Sequence, residues 1–571
     1  MCGIFAVIGH TDAYPTVREG LIRLAYRGYD SAGIAFEQSE PTKTLGHPEN
    51  LKELKTSATW AIGHNRWATH GKPSIPNAHP HRSMCKDFTV VHNGIVENYL
   101  ELKDFLKHKG YTFVSETDTE VIPNLLSYYT DLEDTLESAI EKALKNIKGS
   151  YALAIHSQQE PNSLFLIRAG SPAVIGVDDT NSYYISSDLT ALPENTRFFR
   201  EVSEHTLYRL DAGYDHVLAE LYDWTYFKPI TEAYDLGNFP DYMTKEIFHQ
   251  VASLPQLLKQ PSEDYSVAKD LLLSADQIIL VGCGSAFYAA MVGASVLEEA
   301  YKKPVRVMSA GELQYQQIHC TKETVLLAVS QSGETADTLR CVQRYKHLKS
   351  IAICNTANST LSKICTTEVA IHAGKEISVA STKAVTHQAL TLMNLGNPIS
   401  RGAVLKNIDT LVNFKKFETL CGMLVSQYSL IALSRGHLLP SILETALKIK
   451  ELAYIHTEGL SASEFKHGPL ALISSSSTCL AFIDETIEDK IVSNIKEVQS
   501  REGKVVAVVS KGCRRETKSI LDYYVEIDTD NPVLNPILFI IAGQIITYNL
   551  AKSLGKSIDR PRNLAKSVTV E

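Results

Sequence analysis

The chain has 571 residues, enough for about three to four folding units, so its cores need neither disulfides nor a metal for stability. Hydrophobic residues make up 44% and charged residues 21%, which excludes a disordered, collagenous or low-complexity chain. A formal net charge of -9 disfavours general nucleic-acid binding but permits a local basic pocket for a small anion. These values favour a soluble multi-domain α/β enzyme.

The cysteines and the apolar segments indicate the cellular compartment of the protein. Ten cysteines are scattered without a C-x-x-C pair, which predicts neither a disulfide framework nor a zinc knuckle and is typical of a reducing compartment. The apolar run after Met1 is too short for a signal peptide. The longest apolar stretch, 537–550, contains Gln544, Thr547 and Asn549, so it predicts a buried helix and not a membrane span. We therefore expect a cytoplasmic protein that binds no membrane and no nucleic acid.

The first part of the chain consists of short β-rich segments separated by glycine-rich turns. The predicted strands are residues 4–8, 88–91, 151–155, 163–167 and 183–185. Helical periodicity occurs at 119–129 and 136–147. This mixture predicts an α+β domain with antiparallel sheets over residues 2–234. Residues 235–241 contain Gly and Pro and are typical of a linker.

From residue 242 onward, buried strands alternate with helices. The predicted strands are residues 278–281, 324–329 and 350–354, followed by 429–433, 479–483 and 504–509. Alternation of this kind predicts parallel sheets in doubly wound α/β units. We expect two such units, over residues 242–424 and 425–571, related by the order of their elements.

Cys2 is a candidate nucleophile. Methionine is commonly removed before a small residue, and removal of Met1 would leave a thiol and a free α-amino group on Cys2. An α-amino group with a pKa of about 7.7–8.0 can accept the thiol proton at neutral pH. A cysteine after Met1 is by itself weak evidence for a nucleophile and is usually a chance residue, so this hypothesis depends on its neighbours.

Later segments carry the other groups that a cysteine amidase needs. Asn93 and the backbone N–H of Gly94 are suited to an oxyanion hole. Arg66 can bind a substrate carboxylate through two parallel hydrogen bonds. Asp118 can bind a substrate ammonium group.

Metal and nucleotide cofactors are not expected. His79 and His81 have the spacing of metal ligands, but no third ligand or H-E-x-x-H pattern accompanies them, so we expect wall residues. The Gly-Cys-Gly turn near residue 283 begins a dinucleotide fingerprint, but Phe287 occupies the third glycine position. The Gly-Lys-Ser sequence near the C-terminus resembles a P-loop ending, but Leu550 stands at the leading glycine position.

Five segments together resemble the class II glutamine amidotransferase domain. They are Cys2-Gly-Ile, Tyr26-Arg-Gly-Tyr-Asp-Ser-Ala-Gly33, Arg66-Trp-Ala-Thr-His-Gly71, His92-Asn-Gly94 and Glu116-Thr-Asp118. That family has an N-terminal nucleophile hydrolase fold with αββα layers. The resemblance therefore implies the same fold for the first domain.

The resemblance also implies residue roles. Cys2 would attack the side-chain amide of glutamine and release ammonia, with Asn93 and Gly94 as the oxyanion hole. Arg66 and Asp118 would recognise glutamine. The further residues that the resemblance implies at this site are Trp67, Thr69 and His70, with Trp67 in a mobile loop towards the ammonia route.

A phosphate-binding pattern follows the predicted strand at 324–329. Ser330-Gln-Ser-Gly-Glu-Thr335 brings hydroxyls and free backbone N–H groups to a strand-to-helix turn, which can bind an anion without a lysine. The same segment could form an ordinary Ser/Thr helix cap, and the residues alone leave both interpretations open. Together with Cys283-Gly-Ser285, the segment resembles the sugar isomerase (SIS) domain.

Candidate proton-transfer groups lie in the second predicted unit. Glu444, Lys448 and Glu451 are spaced i, i+4 and i+7, so they form one stripe on a helix. A solvated ion-pair ladder is the ordinary interpretation, but apolar residues on both flanks favour a pocket wall, where burial can tune a glutamate as a base. His467 can move protons near neutral pH. Lys566, close to the chain end, would by itself be read as a surface lysine.

The chain as a whole resembles the glutamine–fructose-6-phosphate aminotransferase family. The resemblance implies that His467 assists ring opening of fructose 6-phosphate and that Lys566 forms a Schiff base with the C2 ketone. Ammonia would displace the lysine, and Glu451 would move a proton between C1 and C2, supported by Glu444 and Lys448. The resemblance also implies a homodimer with glutamine and fructose 6-phosphate as substrates. The sugar-phosphate residues that it implies are Cys283, Gly284, Ser285, Ser330, Gln331, Ser332, Thr335, Val379 and Ser381.

Ala286 departs from the family pattern. Many relatives have Cys-Gly-Thr-Ser where this chain has Cys283-Gly-Ser-Ala286, so one hydroxyl contact from this turn to the sugar phosphate is in doubt.

Two other functions remain open. A sugar-phosphate-binding regulator would keep the SIS domains without turnover, but it would need none of Glu451, His467 and Lys566. An amidotransferase acting on another keto-sugar phosphate is the third hypothesis. A product assay with glutamine and fructose 6-phosphate discriminates among the three.

Overall fold

The computed structural model describes residues 2–37, 39–214, 224–227, 236–259, 263–356, 359–408, 411–529 and 531–568. The chain divides into two compact units, one up to residue 233 and one from residue 234 to residue 566. Residues 234 and 235, where the first predicted domain ends and the predicted linker begins, lie outside the described residues, as do Met1 and residues 569–571. The rest of the predicted linker leads to Asp241, whose Oδ1 accepts a hydrogen bond from the Thr244 N–H at 2.8 Å and caps the next helix.

The first unit contains short strands and four described helices. Its strands are β1 (Gly3–Ile8), β2 (Ser31–Phe36), β3 (Thr42–Leu45), β4 (Trp60–Arg66), β5 (His81–Arg82), β6 (Phe88–Val96), β7 (Gly149–Ser157), β8 (Ser163–Ala169), β9 (Val174–Asp178), β10 (Tyr183–Ser186), β11 (Thr196–Glu201), β12 (Tyr208–Asp211) and β13 (Thr225–Tyr226). Its helices are α1 (Ala13–Arg23), α2 (Tyr99–His108), α3 (Val121–Thr130) and α4 (Leu136–Leu144).

In the described part of the first unit these strands form two antiparallel sheets. The eight-stranded sheet has the order β13-β11-β9-β10-β1-β4-β2-β3, and the five-stranded sheet has the order β12-β8-β7-β6-β5. The predicted strands and helices of this region all occur, and their mixture is the expected α+β arrangement.

Strand β1 shows how the layers stack. Because successive side chains of a strand point to opposite faces, Ile4 and Ala6 lie in the core between the two sheets. Phe5 and Val7 lie in a second core against α1. The five-stranded sheet packs its other face on α3 and α4, with Phe88 in that core. The result is an αββα sandwich, which confirms the predicted fold.

The second unit contains parallel strands, each followed by helical segments. Its strands are β14 (Gln277–Gly282), β15 (Val305–Ser309), β16 (Thr324–Ser330), β17 (Lys349–Cys354), β18 (Thr367–Ala370), β19 (Ser429–Ser434), β20 (His456–Ser461), β21 (Thr478–Ile483), β22 (Lys504–Ser510) and β23 (Tyr523–Ile527). Its helices are α5 (Tyr242–Leu257), α6 (Glu263–Ser274), α7 (Ser285–Tyr301), α8 (Ala310–Leu313), α9 (Ala336–Arg344), α10 (Thr360–Ile364), α11 (Lys383–Gly396), α12 (Arg401–Ile408), α13 (Glu418–Leu424), α14 (Leu439–Ala453), α15 (Ala462–Phe465), α16 (Glu488–Gln499), α17 (Arg515–Ser519) and α18 (Asn535–Ser553).

The described strands of the second unit form two parallel sheets with the same topology. Their orders are β15-β14-β16-β17-β18 and β20-β19-β21-β22-β23, so the first strand of each sheet lies between the second and the third. This confirms the two predicted doubly wound units. In such sheets the chain leaves the first and third strands in opposite directions, which opens a cleft at their carboxyl ends. In the first sheet that cleft lies at the ends of β14 and β16.

One core joins the two halves of the second unit. It contains Met243, Leu390, Leu430, Ile449 and Ile541, from α5, α11, β19, α14 and α18. Helix α18 is long and apolar enough to cross a membrane, but 94% of its most apolar window is buried inside the fold. The buried helix predicted at 537–550 is therefore confirmed.

Candidate active sites

The Cys2 thiol lies at the start of β1, against the segment that follows β4. Its Sγ is 3.3 Å from the Trp67 backbone nitrogen, which donates to it, and 3.5 Å from the Trp67 carbonyl oxygen. The Cys2 carbonyl accepts a hydrogen bond from Nε of Arg27 at 3.0 Å. Burial raises the pKa of the Cys2 thiol, while the Trp67 N–H and the Arg66 charge act in the opposite direction. The thiol therefore needs a base to become a nucleophile at neutral pH.

Arg66 is buried at the end of β4 and orders the segment after it. Nη2 donates to the carbonyl oxygens of His70 and Gly71, the latter at 3.0 Å. Nη1 is buried and has no hydrogen-bond partner among the described residues. Asp30 holds the same segment, because its Oδ2 accepts from the Ala68 N–H at 2.8 Å. One arm of the guanidinium is thus fixed, and the other has unused hydrogen-bond donors among the described residues.

The predicted oxyanion-hole residues lie on β6. Nδ2 of Asn93 donates to the Ser187 hydroxyl at 2.8 Å. Gly94 has a φ of +134°, and a Cβ there would lie 2.0 Å from the Ser150 carbonyl oxygen. Only glycine fits this position, because the backbone of β7 passes too close for a side chain.

Asp118 lies between β6 and the Arg66–Gly71 segment, with a contact to each. Its Oδ2 accepts from the Val96 N–H at 2.8 Å, and its Oδ1 lies 3.9 Å from Nδ1 of His70. Thr69 is exposed, and its hydroxyl lies 3.2 Å from the same His70 nitrogen. The structure therefore brings the predicted glutamine-site residues of the first unit into one connected group.

Four buried histidines form a wall beside this group. Nδ1 of His79 lies 2.9 Å from Nδ1 of His64, and His81 contacts Thr117 through Nε2 at 3.1 Å. Burial lowers the pKa of His64 to about 3 and the pKa values of His79, His81 and His92 below the usual value, so the rings are neutral at pH 7. Within the described ranges no set of three His, Cys, Asp or Glu side chains is arranged to hold a metal ion.

The predicted phosphate turn lies at the cleft end of β16. The Ser330 hydroxyl accepts from the Gly333 N–H at 3.0 Å and lies 3.2 Å from the Thr335 hydroxyl. Thr335 occupies the N-cap position of α9, but its side chain makes no capping hydrogen bond. The structure thus does not show the ordinary helix cap, and the Ser332 hydroxyl instead accepts from the Glu334 N–H at 3.1 Å.

The Glu444 stripe faces the neighbouring turn after β14. The Ser285 hydroxyl donates to Oε1 of Glu444 at 3.0 Å, so the stripe on α14 meets the first parallel sheet. Lys448 Nζ lies 3.7 Å from Glu444 and 2.5 Å from Glu451, and the Lys448 side chain is only 2% exposed. Lys448 and Glu444 are buried, so the stripe is not a solvated ion-pair ladder, and the pocket-wall interpretation stays a prediction.

Burial sets the charges of this stripe. It raises the pKa of Glu444 to about 7, against the lowering effect of Lys448. Burial alone would lower the pKa of Lys448, but the charges of Glu451 and Glu444 raise it above the ordinary value. Oε2 of Glu444 is buried without a partner among the described residues. A carboxyl that titrates near neutrality and has a free oxygen is suited to proton exchange with a bound sugar.

Lys566 is held inside the second unit by the segment before α11. Its Nζ donates to Oε2 of the buried Glu376 and to the Ser378 carbonyl oxygen, the latter at 2.7 Å. Val379 and Ser381 follow directly in the chain, so two predicted sugar-site residues lie beside the lysine. Its side chain is 6% exposed, so the simple surface-lysine interpretation is wrong.

The remaining predicted sugar-site residues make fewer side-chain contacts with the groups described above. His467 follows α15, is exposed, and has no side-chain contact with the Glu444 stripe in the described chain. Cys283 is half-buried and Gly284 exposed at the turn after β14, and Gln331 accepts from the Asn355 N–H through its carbonyl at 3.2 Å. Ala286 packs on an apolar core.

Sequence reasoning missed Ser187, Glu376 and Glu246. Each is a buried polar residue whose partner is distant in the chain, and no local motif marks it. The only signal that points to them is that buried polar groups must be paired, and this rule can be applied only when the fold shows which groups are buried.

Family models match both units. The glutamine amidotransferase domain model matches residues 64–194, and the SIS domain model matches twice, at residues 271–397 and 423–551. The two SIS matches coincide with the two parallel sheets.

Curated relatives match over the whole chain. The glutamine–fructose-6-phosphate aminotransferase [isomerizing] of Clostridium acetobutylicum is 36% identical over 618 residues, and that of Thermococcus kodakarensis is 35% identical over 612 residues. Both matches cover 100% of this chain and 100% of the relative.

Solved structures match the second unit. The C-terminal domain of glucosamine-fructose-6-phosphate aminotransferase from Francisella tularensis aligns with a TM-score of 0.50 and 30% identity, covering 57% of this chain and 99% of that one. Tagatose-6-phosphate ketose/aldose isomerase from Escherichia coli aligns with a TM-score of 0.51 at 15% identity, covering 58% of this chain and 96% of that one, and shows the shared fold alone.

Proposed function

The chain belongs to the glutamine–fructose-6-phosphate aminotransferase (isomerizing) family, and we propose that the Cys2 group and the Glu444–Lys566 groups each carry one half of its reaction. The chain converts glutamine and fructose 6-phosphate to glutamate and glucosamine 6-phosphate. The proposed domain limits are residues 2–234 for glutamine hydrolysis, 235–241 for the linker, and 242–424 and 425–571 for the two SIS domains.

In the first half, Cys2 attacks the side-chain amide carbon of glutamine. After loss of Met1, the α-amino group takes the thiol proton, and Sγ forms a bond to carbon while the carbonyl becomes an oxyanion. Asn93 Nδ2 and the Gly94 N–H stabilise that oxyanion. The carbon–nitrogen bond then breaks, ammonia leaves with the proton, and water hydrolyses the thioester to glutamate.

In the second half, the Ser330–Thr335 turn binds the phosphate and His467 assists ring opening. The Lys566 amine adds to the C2 ketone and water leaves, which forms a Schiff base. Ammonia adds at C2 and displaces the lysine. Glu451 then takes a proton from C1, which forms an enolamine, and returns it to C2. The C1 hydroxyl loses its proton and the nitrogen at C2 gains one, so that C1 becomes the aldehyde of the aminosugar.

The position of the Cys2 thiol is the observation that carries the proposal. It lies against the Trp67 N–H, next to an arginine whose Nη1 is buried and free of partners among the described residues. A thiol beside an unused guanidinium is the arrangement that an amidase specific for an amino acid needs.

The test is a product assay at neutral pH with glutamine and fructose 6-phosphate. We expect glutamate and an aminosugar phosphate in equal amounts. Cys2→Ala should abolish both products, whereas Lys566→Arg should abolish only the aminosugar. Cys85→Ala is the matched control, because Cys85 is an exposed thiol of the same unit. Neither product from the unaltered chain would instead support a sugar-phosphate-binding regulator.

Two further parts of the proposal concern the assembled enzyme. We propose a cytoplasmic homodimer, and light scattering after size exclusion tests the dimer.

We also propose that ammonia passes from the Cys2 reaction to the sugar without entering bulk water, because ammonia released into water at neutral pH becomes ammonium, which is not a nucleophile. Added ¹⁵N-ammonium should then not enter the aminosugar made from unlabelled glutamine, and appreciable labelling would contradict an internal route.

A further inference from the structure

The Ser187 hydroxyl joins the strand of the nucleophile to the strand of the oxyanion hole. It accepts from the Ile4 N–H at 2.8 Å and from Nδ2 of Asn93 at 2.8 Å. Ile4 lies two residues after Cys2 on β1, and Asn93 lies on β6 of the other sheet. Ser187 is 3% exposed and Asn93 4%, so water does not compete for these bonds.

The hydrogen-bonding capacity of this hydroxyl is fully used. A serine hydroxyl has two acceptor sites and one donor. The Ile4 and Asn93 N–H groups occupy both acceptor sites, and the donor points to the Ile4 carbonyl oxygen at 3.4 Å. Ser187 therefore has no group left to contact glutamine, and its chemistry is confined to holding its neighbours.

The amide of Asn93 keeps one donor free. An amide nitrogen carries two hydrogens, and Ser187 accepts one of them. Among the described residues Nδ2 forms no second hydrogen bond, although the Asn93 side chain also interacts with the buried His64. The bond to Ser187 restricts rotation of the amide, and so it restricts the direction of the second N–H. An oxyanion hole depends on this kind of preorganised donor.

We propose that Ser187 is a positioning residue for glutamine hydrolysis, which holds Asn93 so that its second Nδ2–H meets the oxyanion formed at the carbon that Cys2 attacks. The inference rests on the proposed function, because it requires the Cys2 reaction. It adds the turn directly after β10, where Ser187 lies, to the two strands that supply the reacting groups. The effect should appear in the transition state and not in the binding of glutamine.

The first experiment compares Ser187→Ala with Ser186→Ala in glutamine hydrolysis. Ser186 is the matched control, because it is the preceding residue, at the end of β10, and its buried hydroxyl bonds only to the backbone of Asp188 among the described residues. We expect Ser187→Ala to lower kcat by about 10- to 100-fold with KM changed less than about threefold, since loss of a complete oxyanion donor costs about 100- to 1000-fold. Ser186→Ala should keep the rate of the unaltered enzyme.

A double-mutant cycle separates positioning from a general structural role. If Ser187 acts through Asn93, Ser187→Ala should lower kcat little further in an Asn93→Ala background.

Binding of a transition-state analogue gives a second readout. Affinity for the γ-aldehyde analogue of glutamine, which forms an oxyanion on the thiol, should fall with kcat, whereas inhibition by glutamate should not change. Rates are normalised to the folded fraction measured by circular dichroism, so that partial misfolding does not lower the apparent rate; thiol alkylation would not serve, because the exposed thiol of Cys85 would react as well. Ser187→Thr, which keeps a hydroxyl, should recover activity relative to Ser187→Ala.

The outcomes distinguish a wrong role for Ser187 from a wrong proposed function. Additive losses, a change confined to KM, or an equal loss in Ser186→Ala would overturn the role of Ser187 and leave the proposed function standing. Absence of glutamate release from the unaltered enzyme would overturn the proposed function itself.

Discussion

Lys566 and Glu376 form an ion pair inside the second unit, with side chains that are 6% and 0% exposed. Glu376 also accepts through Oε1 from the N–H groups of Thr382 and Ala384, both at 2.9 Å. Burial alone would raise the pKa of Glu376, but the Lys566 charge and these donors hold it below the usual value. The proposed Schiff-base lysine is therefore kept in place by a buried carboxylate and not by solvent.

Removing the carboxylate should destabilise the second unit. Glu376→Gln leaves the Lys566 charge buried without its counterion, and such a change costs about 3–5 kcal/mol. Thermal unfolding should show the loss, and adding Lys566→Met should recover part of it by removing the stranded charge. Glu323→Gln is the control, because the Glu323–Lys349 pair is exposed and should contribute at most about 1 kcal/mol. Equal losses in the two glutamine variants would contradict the role given to burial.

Glutamine affinity should depend on the shape of Arg66 as well as on its charge. Lysine cannot bond the His70 and Gly71 carbonyls and still present a free donor pair to a carboxylate. Arg66→Lys should raise the KM for glutamine by about 10- to 100-fold, the equivalent of one charged hydrogen bond. Arg197→Lys, at an exposed arginine of the same unit, should leave KM unchanged. An unaltered KM in Arg66→Lys would place the substrate carboxylate elsewhere.

The phosphate turn should not tolerate a side chain at Gly333. Its φ is +68°, and a Cβ would lie 2.1 Å from the Ser359 hydroxyl oxygen, so the backbone N–H groups of the turn would have to move. Gly333→Ala should raise the KM for fructose 6-phosphate by at least about tenfold while glutamine hydrolysis without sugar continues. The control is Gly402→Ala on α12, where the added methyl meets no atom within 4 Å. Normal sugar affinity in Gly333→Ala would show that the turn does not bind the phosphate.

Glu444 should make the stability of the second unit fall as pH rises. Its carboxyl has a pKa of about 7 in the fold, against about 4.3 for an unfolded glutamate. Between these two pH values the folded chain binds more protons than the unfolded chain. The free energy of unfolding therefore falls by up to about 1.4 kcal/mol for each unit of pH increase. The stabilisation is complete below pH ~4.3 and is lost as pH rises through ~7.

Glu444→Gln should remove this slope, because an amide can bond Ser285 without titrating. The melting temperature measured from pH 4.5 to 8 should then decline less with pH than in the unaltered chain. Glu458→Gln, at an exposed glutamate on β20, should keep the original slope. Identical slopes in all three proteins would mean that Glu444 titrates normally.

The local patterns of the sequence determined the elements and the two kinds of sheet. Residues 4–8, 324–329 and 504–509 were predicted as strands, and each occurs within β1, β16 or β22. The hydrophobic period of a strand or helix is set by its own backbone geometry, so it can be read without the fold. The motifs around Cys2 and Ser330 are equally local, and they identified both candidate sites.

The tertiary structure alone decided which side chains hold the reacting groups. Asn93 and Ser187 are 94 residues apart, Ser285 and Glu444 are 159 apart, and Glu376 and Lys566 are 190 apart. These contacts depend on the order of strands in each sheet and on how α14 and the chain end pack. The local hydrophobic periodicity of the sequence contains no information about either. A buried polar group must find a partner, but the sequence does not say which one, because every distant polar residue satisfies the same rule until the fold brings one of them near.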